Sequence, residues 1–468
     1  MTPDAPDAPD ETRVFDLARP RRVHIVGVAG AGMSAIALVL ARMGHHVSGS
    51  DIKSAAVLER LAAAGVDVHV GNRAEHVPVD ADAVVYSTAI PRRNVELVAA
   101  DRLGIPVLHR SAALAALTET RRTIAVAGSH GKTTTASMLA LILRSAGWSP
   151  SFVIGGEVNE VGSNAAFGDG EWLVVEADES DGTFLHLSAE AALVTNIEPD
   201  HLDHYGDFAG LVRAFERFIA SVRGPVVCCA DDPVAGRLAR DQLSIRTYGL
   251  DSDADYRISD EVVDARGCRF TLTVDGASRV SITVPAGVKA STNAAGAIAI
   301  AREIGVEFEP AVRALAAFGG VARRFQYRGE RDGVTYIDDY AHLPTEVAAA
   351  IAAARQGPWR RVVVVFQPHR YTRTASIGPQ FADAFSAADT LVLTDVYPAG
   401  ETPIPGVSGR LILHAVLDHH PELAVAYLPR PVDLAAVPQR YARPGDLVLT
   451  LGAGDLTTMP DVWLGAGA

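Results

Sequence analysis

The chain has 468 residues, 48% of them hydrophobic, and a formal charge of −14; at about 150 residues per domain it can build three cored domains. Its acidic balance argues against a general nucleic-acid binder, which needs a basic face. No apolar run reaches the ~18 residues of a membrane span, and the acidic N-terminus is unlike a signal peptide, so a cytoplasmic protein without membrane insertion is expected. Its cysteines, Cys228, Cys229 and Cys268, have neither metal-ligand nor disulfide-framework spacing and read as core thiols.

Residues 1–20 open with repeated Pro, Asp and Ala. They carry too little apolar surface to offset chain entropy and are expected to form a disordered acidic tail. The next segment, 21–115, alternates strand, turn and helix: Val23–Val26, the turn at Gly27, Gly30, Ala31 and Gly32, a helix from Met33 to Met43, then a strand leading to Asp51. This opens a doubly wound, Rossmann-like unit. The glycine spacing departs from the dinucleotide fingerprint, but Asp51, 21 residues beyond Gly30, stands where ribose contacts arise. NAD, FAD and a nucleotide-linked substrate all remain open at this site. A further strand, Ala83–Tyr86, delivers Ser87 and Thr88.

In the second domain, 116–320, the run Thr123–Ala127 leads into Gly128, Ser129, His130, Gly131, Lys132, Thr133 and Thr134, and then into an apolar helix. Strand, Gly-rich turn and helix in that order make a phosphate cradle, because turn N–H groups and the helix N-terminus both favour an anion. The full spacing would put glycine where Val126 stands, so the loop is a shortened variant of the P-loop. Lys132 would reach the terminal phosphates and Thr133 a phosphate-bound cation, so ATP use is expected.

Two strands farther on, Trp172–Val175 delivers Glu176, whose carboxylate suits Mg²⁺, and Ala192–Thr195 delivers Asn196 and His201. An imidazole is also acceptable to Mn²⁺, which makes Thr133, Glu176 and His201 the candidate metal ligands. The stretch 245–285 turns β-rich and is expected to form a small peripheral antiparallel insertion. A helix carrying Asn293 restores the alternation, and Gly319, Gly320, Arg323 and Arg324 read as a hinge.

The third domain, 321–468, is a second Rossmann-like unit built on Val334–Ile337, Arg361–Phe366, Leu391–Leu393 and Leu447–Thr450. Its strand ends gather Asp338, Asp339, Tyr340 and His342 with His369, Arg370, Tyr371 and Arg373. Arginine forks there match carboxylate or phosphate. Arg323 and Arg324 are placed to enter the phosphate site on domain closure.

Read in order, Gly30-Ala31-Gly32-Met33-Ser34, Ser48-Gly49-Ser50-Asp51, Ser87-Thr88-Ala89-Ile90, the phosphate loop, Glu176 to Gly182, Thr195 to Asp203, Arg323-Arg324-Phe325, Asp338 to Glu346, Phe366 to Thr374 and Gly452 to Asp455 resemble the Mur ligase family over nearly the whole chain after residue 20. Within it, Ser180 to Phe184 looks like the branch that adds L-alanine to UDP-N-acetylmuramate. The resemblance implies an α/β fold of three domains, Rossmann-like, P-loop ATPase-like and Rossmann-like. It also implies ADP-forming amide synthesis in peptidoglycan precursor assembly, with ATP and Mg²⁺ or Mn²⁺, by a monomer or homodimer.

By resemblance, the first domain holds UDP through Gly30, Ala31, Gly32, Met33, Asp51, Ser87 and Thr88, with Asn196 also on the sugar nucleotide. ATP would meet Gly128 to Thr134, Asn293, Arg324 and Asp339. Tyr340, His342, Arg370 and Arg373 would surround the reacting carboxylate and the amino acid. Lys132, Glu176, His201, Arg324 and His342 would be the catalytic set. Departures from the family pattern are Ser129 for Thr, Lys289-Ala290 for His-Asn, Leu343 within His-His-Pro, and Leu38 for Glu. They leave open a paralogue with another amino acid or acceptor, or a nucleotide-binding protein without turnover; an NAD-dependent oxidoreductase is disfavoured by the phosphate loop.

Overall fold

The computed structural model describes residues 15–52, 56–242, 244–264, 267–285 and 287–465. They divide into two compact units, Met1–Ser259 with Leu272–Val280 and Thr292–Ala317, and Asp260–Thr271 with Ser281–Ser291 and Phe318–Ala468.

The first unit opens with a parallel sheet in the order Asp67–Val70, His46–Asp51, Arg22–Val26, Ala83–Tyr86, Val107–His109. Chain order reverses beside Arg22–Val26, the place where an open α/β sheet presents its ligand crevice. Val23, Ile25 and Val26 are buried, as a strand covered on both faces requires. Met33, Ile36, Val39 and Leu40 on the helix Ala31–Arg42 complete this layer.

The second sheet centres on Arg122–Ala127, flanked by Ala191–Val194 on one side and Trp172–Glu176 on the other, both parallel to it. Ser151–Val158 and the antiparallel Ser163–Ala166 finish one edge. Val226–Cys229 and Arg246–Gly249 continue the other. The β-rich stretch does not form a separate sheet as expected. Tyr256–Asp264 pairs parallel with Arg246–Gly249 through Tyr256 and Arg257, and Gly267–Val274 and Ser278–Val284 follow it in a single ten-stranded order. Apolar residues of the first two sheets share one core, Ile25 and Val85 with Ala125, Val175 and Val194, and the first compact unit takes in most of the first two expected domains, while Asp260–Thr271 and Ser281–Ser291 belong to the second.

The second unit holds a six-stranded sheet ordered Gln326–Arg331, Val334–Asp339, Leu447–Leu451, Val362–Phe366, Thr390–Leu393, Ala424–Tyr427. Only its first pair is antiparallel. Val334–Asp339 and Val362–Phe366 are buried along their whole length, so their polar chemistry emerges at the carboxyl ends.

Residues 1–14 of the expected tail lie outside the described residues. The remainder is not wholly solvent-borne as expected: Leu17 is buried in the core of the first unit, and Phe15 is partly buried against that core. The three cysteines are reduced and buried, as expected.

Candidate active site

The phosphate loop is braced from the neighbouring strand end. Gly128 and Gly131 take φ of +132° and +83°, conformations that turn successive N–H groups inward and that L side chains rarely adopt. A Cβ on Gly128 would lie 2.1 Å from Thr195 Oγ1, and one on Gly131 2.7 Å from Asn293 Oδ1. Ser129 N donates to Asn196 O at 3.0 Å, and Glu198 N donates to Ser129 Oγ at 2.9 Å. Asn196, expected on the sugar nucleotide, accepts from His130 N and donates to His130 O, each at 2.9 Å. With both amide ends on the loop, it is a brace.

Lys132 begins the helix Lys132–Ser145. Its ammonium donates to Gly128 O at 2.6 Å and to Glu179 Oε2 at 2.7 Å. Glu179 is almost wholly buried. Burial would lower the Lys132 pKa, but Glu179, Asp178 and Glu176 raise it, so the lysine stays charged. One cation among three carboxylates cannot fully compensate each. Burial, reinforced by Asp178, therefore pushes Glu179 up to about 7 against the pull of Lys132. Asp178, on which burial is outweighed by Lys132 and Arg110, is held down at about 2.

Thr133 Oγ1 donates to Glu176 Oε1 at 2.9 Å, while Glu176 Oε2 accepts from Gly155 N at 2.6 Å. A hydroxyl beside a carboxylate at a strand end is a hard-oxygen pair that fits Mg²⁺. His201 has φ of +52°, and its Nε2 lies 3.3 Å from Asp200 Oδ2. Among the described residues no group of three or more His, Cys, Asp or Glu side chains is gathered as a ready-made metal site.

In the first sheet, Gly27 N and Val28 N donate to Ser50 O, and Ala29 N donates to Asp51 Oδ2 at 3.1 Å. The turn then runs through Gly30 into Ala31, where the helix starts. Gly49 allows this approach, since a Cβ there would stand 2.8 Å from Ile25 O. The Met33 side chain, expected near ligand, is buried in the core. Ser87 and Thr88 follow a buried strand into a turn closed by Ile90 N on Ser87 O.

Arg110 escaped the sequence reading. Its Nη2 lies 2.8 Å from both Asp178 and Asp181, and its Nη1 stands 3.6 Å from where a Gly32 Cβ would be.

The second unit gathers the other expected residues. The Arg323 and Arg324 guanidinium carbons lie 4.7 and 5.2 Å from the Tyr340 ring centre. His342 packs edge-on to Tyr340 and to His369, and His369 stacks on Tyr397. Burial, then His342, Arg373 and Arg370, press the His369 pKa down to about 3, so this ring is neutral and accepts from Arg373 Nη1 at 2.9 Å. Burial likewise lowers His342. Arg323, Phe325 and Arg370 all have positive φ, strain of the kind that collects at working sites. Asp339, expected on the ATP ribose, accepts from Phe325 N and Ala341 N at 2.7 Å, one on each oxygen, and so fixes the bend that carries Arg324 and Tyr340. Burial pushes it up to about 6.

A braced phosphate loop, a Gly-rich turn on a doubly wound sheet and a cluster of arginines with aromatic rings define a multidomain α/β enzyme that works on nucleotides. The chain matches the Mur ligase family catalytic domain over residues 22–122, the Mur ligase middle domain over 126–301 and the Mur ligase glutamate ligase domain over 323–454. It is 45% identical over 448 residues to a UDP-N-acetylmuramate–L-alanine ligase of Desulforamulus reducens, covering 94% of this chain and 96% of that one. With the enzyme of that name from Rubrobacter xylanophilus it shares 47% over 444 residues, 93% of this chain and 98% of the other. The crystal structure of the UDP-N-acetylmuramate-alanine ligase of Thermotoga maritima superposes with a TM-score of 0.80 at 27% identity, over 95% of this chain and 99% of that one. The chain belongs to the Mur ligase family.

Proposed function

We propose that this protein is the ATP-dependent ligase that joins L-alanine to the carboxylate of UDP-N-acetylmuramate in peptidoglycan precursor synthesis, working in the cytoplasm. The reading is carried by likeness to L-alanine ligases along nearly the entire chain, combined with a phosphate loop whose lysine is buried and charged.

A carboxylate resists amines because its oxygen is a poor leaving group. Attack of that oxygen on the terminal phosphorus of ATP releases ADP and forms an acyl phosphate. The alanine nitrogen then attacks the acyl carbon, loses a proton, and inorganic phosphate departs. Charge builds on phosphate and acyl oxygens in both steps, so preorganised cations are the main catalytic resource.

Lys132 supplies one such cation, and the loop N–H groups cradle the phosphates. Thr133 and Glu176 would hold Mg²⁺, which when bound neutralises phosphate charge; His201 is a further candidate ligand. The Gly27–Gly32 turn and Asp51 receive the uridine diphosphate. In the second unit, Arg370, Arg373, His342 and Tyr340 form a cationic and aromatic cluster suited to the amino-acid carboxylate, and Arg324 to phosphate. We assign residues 21–115, 116–320 and 321–468 to these three tasks. Asn196 and Asp339 act through the loops they brace.

Phosphate release measured with each substrate omitted in turn, and product mass measured across a panel of amino acids, tests the reading. Release is expected only with ATP, UDP-N-acetylmuramate, L-alanine and Mg²⁺ together. Equal release without the amino acid, or preference for another amino acid, overturns it.

A further inference from the structure

We propose that Arg110 is a positioning residue that shields the anionic sugar nucleotide from the acidic loop behind it; the inference rests on the function proposed above. Arg110 begins the helix Arg110–Glu119. Its Nε and Nη2 contact Asp181 Oδ2 at 3.2 and 2.8 Å, and Nη2 also contacts Asp178 Oδ2 at 2.8 Å. Its Nη1 stands over Gly32, 3.6 Å from the place of a Cβ, beside the first turn of the helix Ala31–Arg42. One edge of the guanidinium thus faces two carboxylates, and the other faces the turn where a diphosphate would sit.

The acidic loop behaves as one piece. Ser180 N donates to Asp178 Oδ1, Thr183 N donates to Asp181 Oδ1, and Gly182 N donates to Glu179 O. The loop also carries Glu179, the partner of Lys132. Two carboxylates facing a diphosphate would repel it, and the single cation between them converts that repulsion into a bridged contact. Removing the cation leaves Asp181 without its guanidinium partner and Asp178 with Lys132 alone, a loss larger than that of one hydrogen bond. The nearby His109, whose Nε2 is 4.0 Å from Asp181, is too distant to substitute.

Titration calorimetry of the full-length protein with UDP-N-acetylmuramate tests this role. Arg110→Gln is expected to weaken binding by about ten-fold or more, while Arg110→Lys, which keeps the charge, stays within about three-fold of the unaltered protein. The double variant Arg110→Gln with Asp181→Asn should recover most of the loss while ATP binding stays at the unaltered strength in the single and double variants alike; a purely structural role would weaken binding of both ligands together. ATP binding by each variant serves as the check on folding. Binding by Arg110→Gln at the unaltered strength, or no recovery in a double variant that still binds ATP, overturns the proposal. Failure of the functional reading has a different signature: the unaltered protein itself gives no heat with UDP-N-acetylmuramate, and the proposal then falls with it.

Discussion

Lys132 Nζ lies 2.7 Å from Glu179 Oε2, so the cation that the phosphate loop offers to a nucleotide is held by a carboxylate of the same chain. A terminal phosphate must compete with that carboxylate. Glu179→Gln keeps the shape and removes the competing charge, and is expected to tighten ATP binding several-fold in calorimetry. It should also lower the melting temperature without nucleotide, since a buried ammonium loses the nearest of its counter-charges. Weaker ATP binding by a folded Glu179→Gln protein would show that the carboxylate assists the nucleotide instead of displacing it.

Lys132→Ala separates binding from chemistry. The acyl phosphate and its formation both concentrate charge near the lysine, so kcat is expected to fall by two or more orders of magnitude, equivalent to ~3 kcal/mol or more of transition-state stabilisation. A smaller change in the KM for ATP is expected, because loop N–H groups still cradle the phosphates. A variant with most of its turnover intact would remove the loop from the reaction.

The principal strands were legible because apolar runs ended abruptly in polar chemistry. Arg122–Ala127, Trp172–Glu176, Val334–Asp339 and Val362–Phe366 each deliver their motif at the carboxyl end, as buried parallel strands must. One edge strand was not: Gln326–Arg331 is polar on both faces and carries no alternation to detect. The division of labour within the acidic cluster was hidden too. Sequence spacing pointed to Glu176, but only the fold reveals that Glu179 turns inward to Lys132 while Asp178 and Asp181 turn to Arg110. Arg110 lies 68 and 71 residues from those partners and belongs to no local motif. Asn196 and Asp339 also hold loop backbone N–H groups, a task invisible in the sequence, because side-chain direction depends on which backbone N–H groups are left to satisfy.

Asp178 gives the protein a dependence on acid. Burial acts upward on its pKa, but Lys132 and Arg110 hold it at about 2, below the ordinary 3.8. A depressed folded-state value contributes stability that is complete above about pH 4 and disappears as pH falls through about 2. The side chain is 37% exposed; solvent screening reduces the contribution to about 1 kcal/mol. Urea unfolding of Asp178→Asn at intervals from pH 5 downward should show a shallower loss of stability than the unaltered protein. Parallel curves would place the acid sensitivity elsewhere.

Cys228, Cys229 and Cys268 are buried, and burial pushes Cys229 up to about 11 and Cys268 to about 12, with Cys228 also raised. The thiolate is the reactive form, so native protein at neutral pH should resist a disulfide reagent, and denatured protein should titrate three thiols. A fast-reacting thiol in the folded protein would contradict the packing around that residue.

Gly128 and Gly147 make a matched pair for testing the loop. Both have positive φ, +132° and +79°, but a Cβ at Gly147 meets nothing within 4 Å whereas one at Gly128 meets Thr195 Oγ1 at 2.1 Å and Asn196 N at 3.0 Å. Gly147→Ala bears only the left-handed backbone cost, about 1 kcal/mol, and should bind ATP normally. Gly128→Ala must add to that cost the displacement of the strand end that braces the loop, a total of roughly 2–4 kcal/mol. Moving Asn196 also moves the His130 backbone that it holds, so the N–H groups lose their inward aim. Denaturant melts and ATP titrations of the two variants should therefore diverge together, with stability and nucleotide affinity both falling at Gly128. Equal stabilities, or normal ATP binding by Gly128→Ala, would mean that the loop does not depend on this close backbone approach.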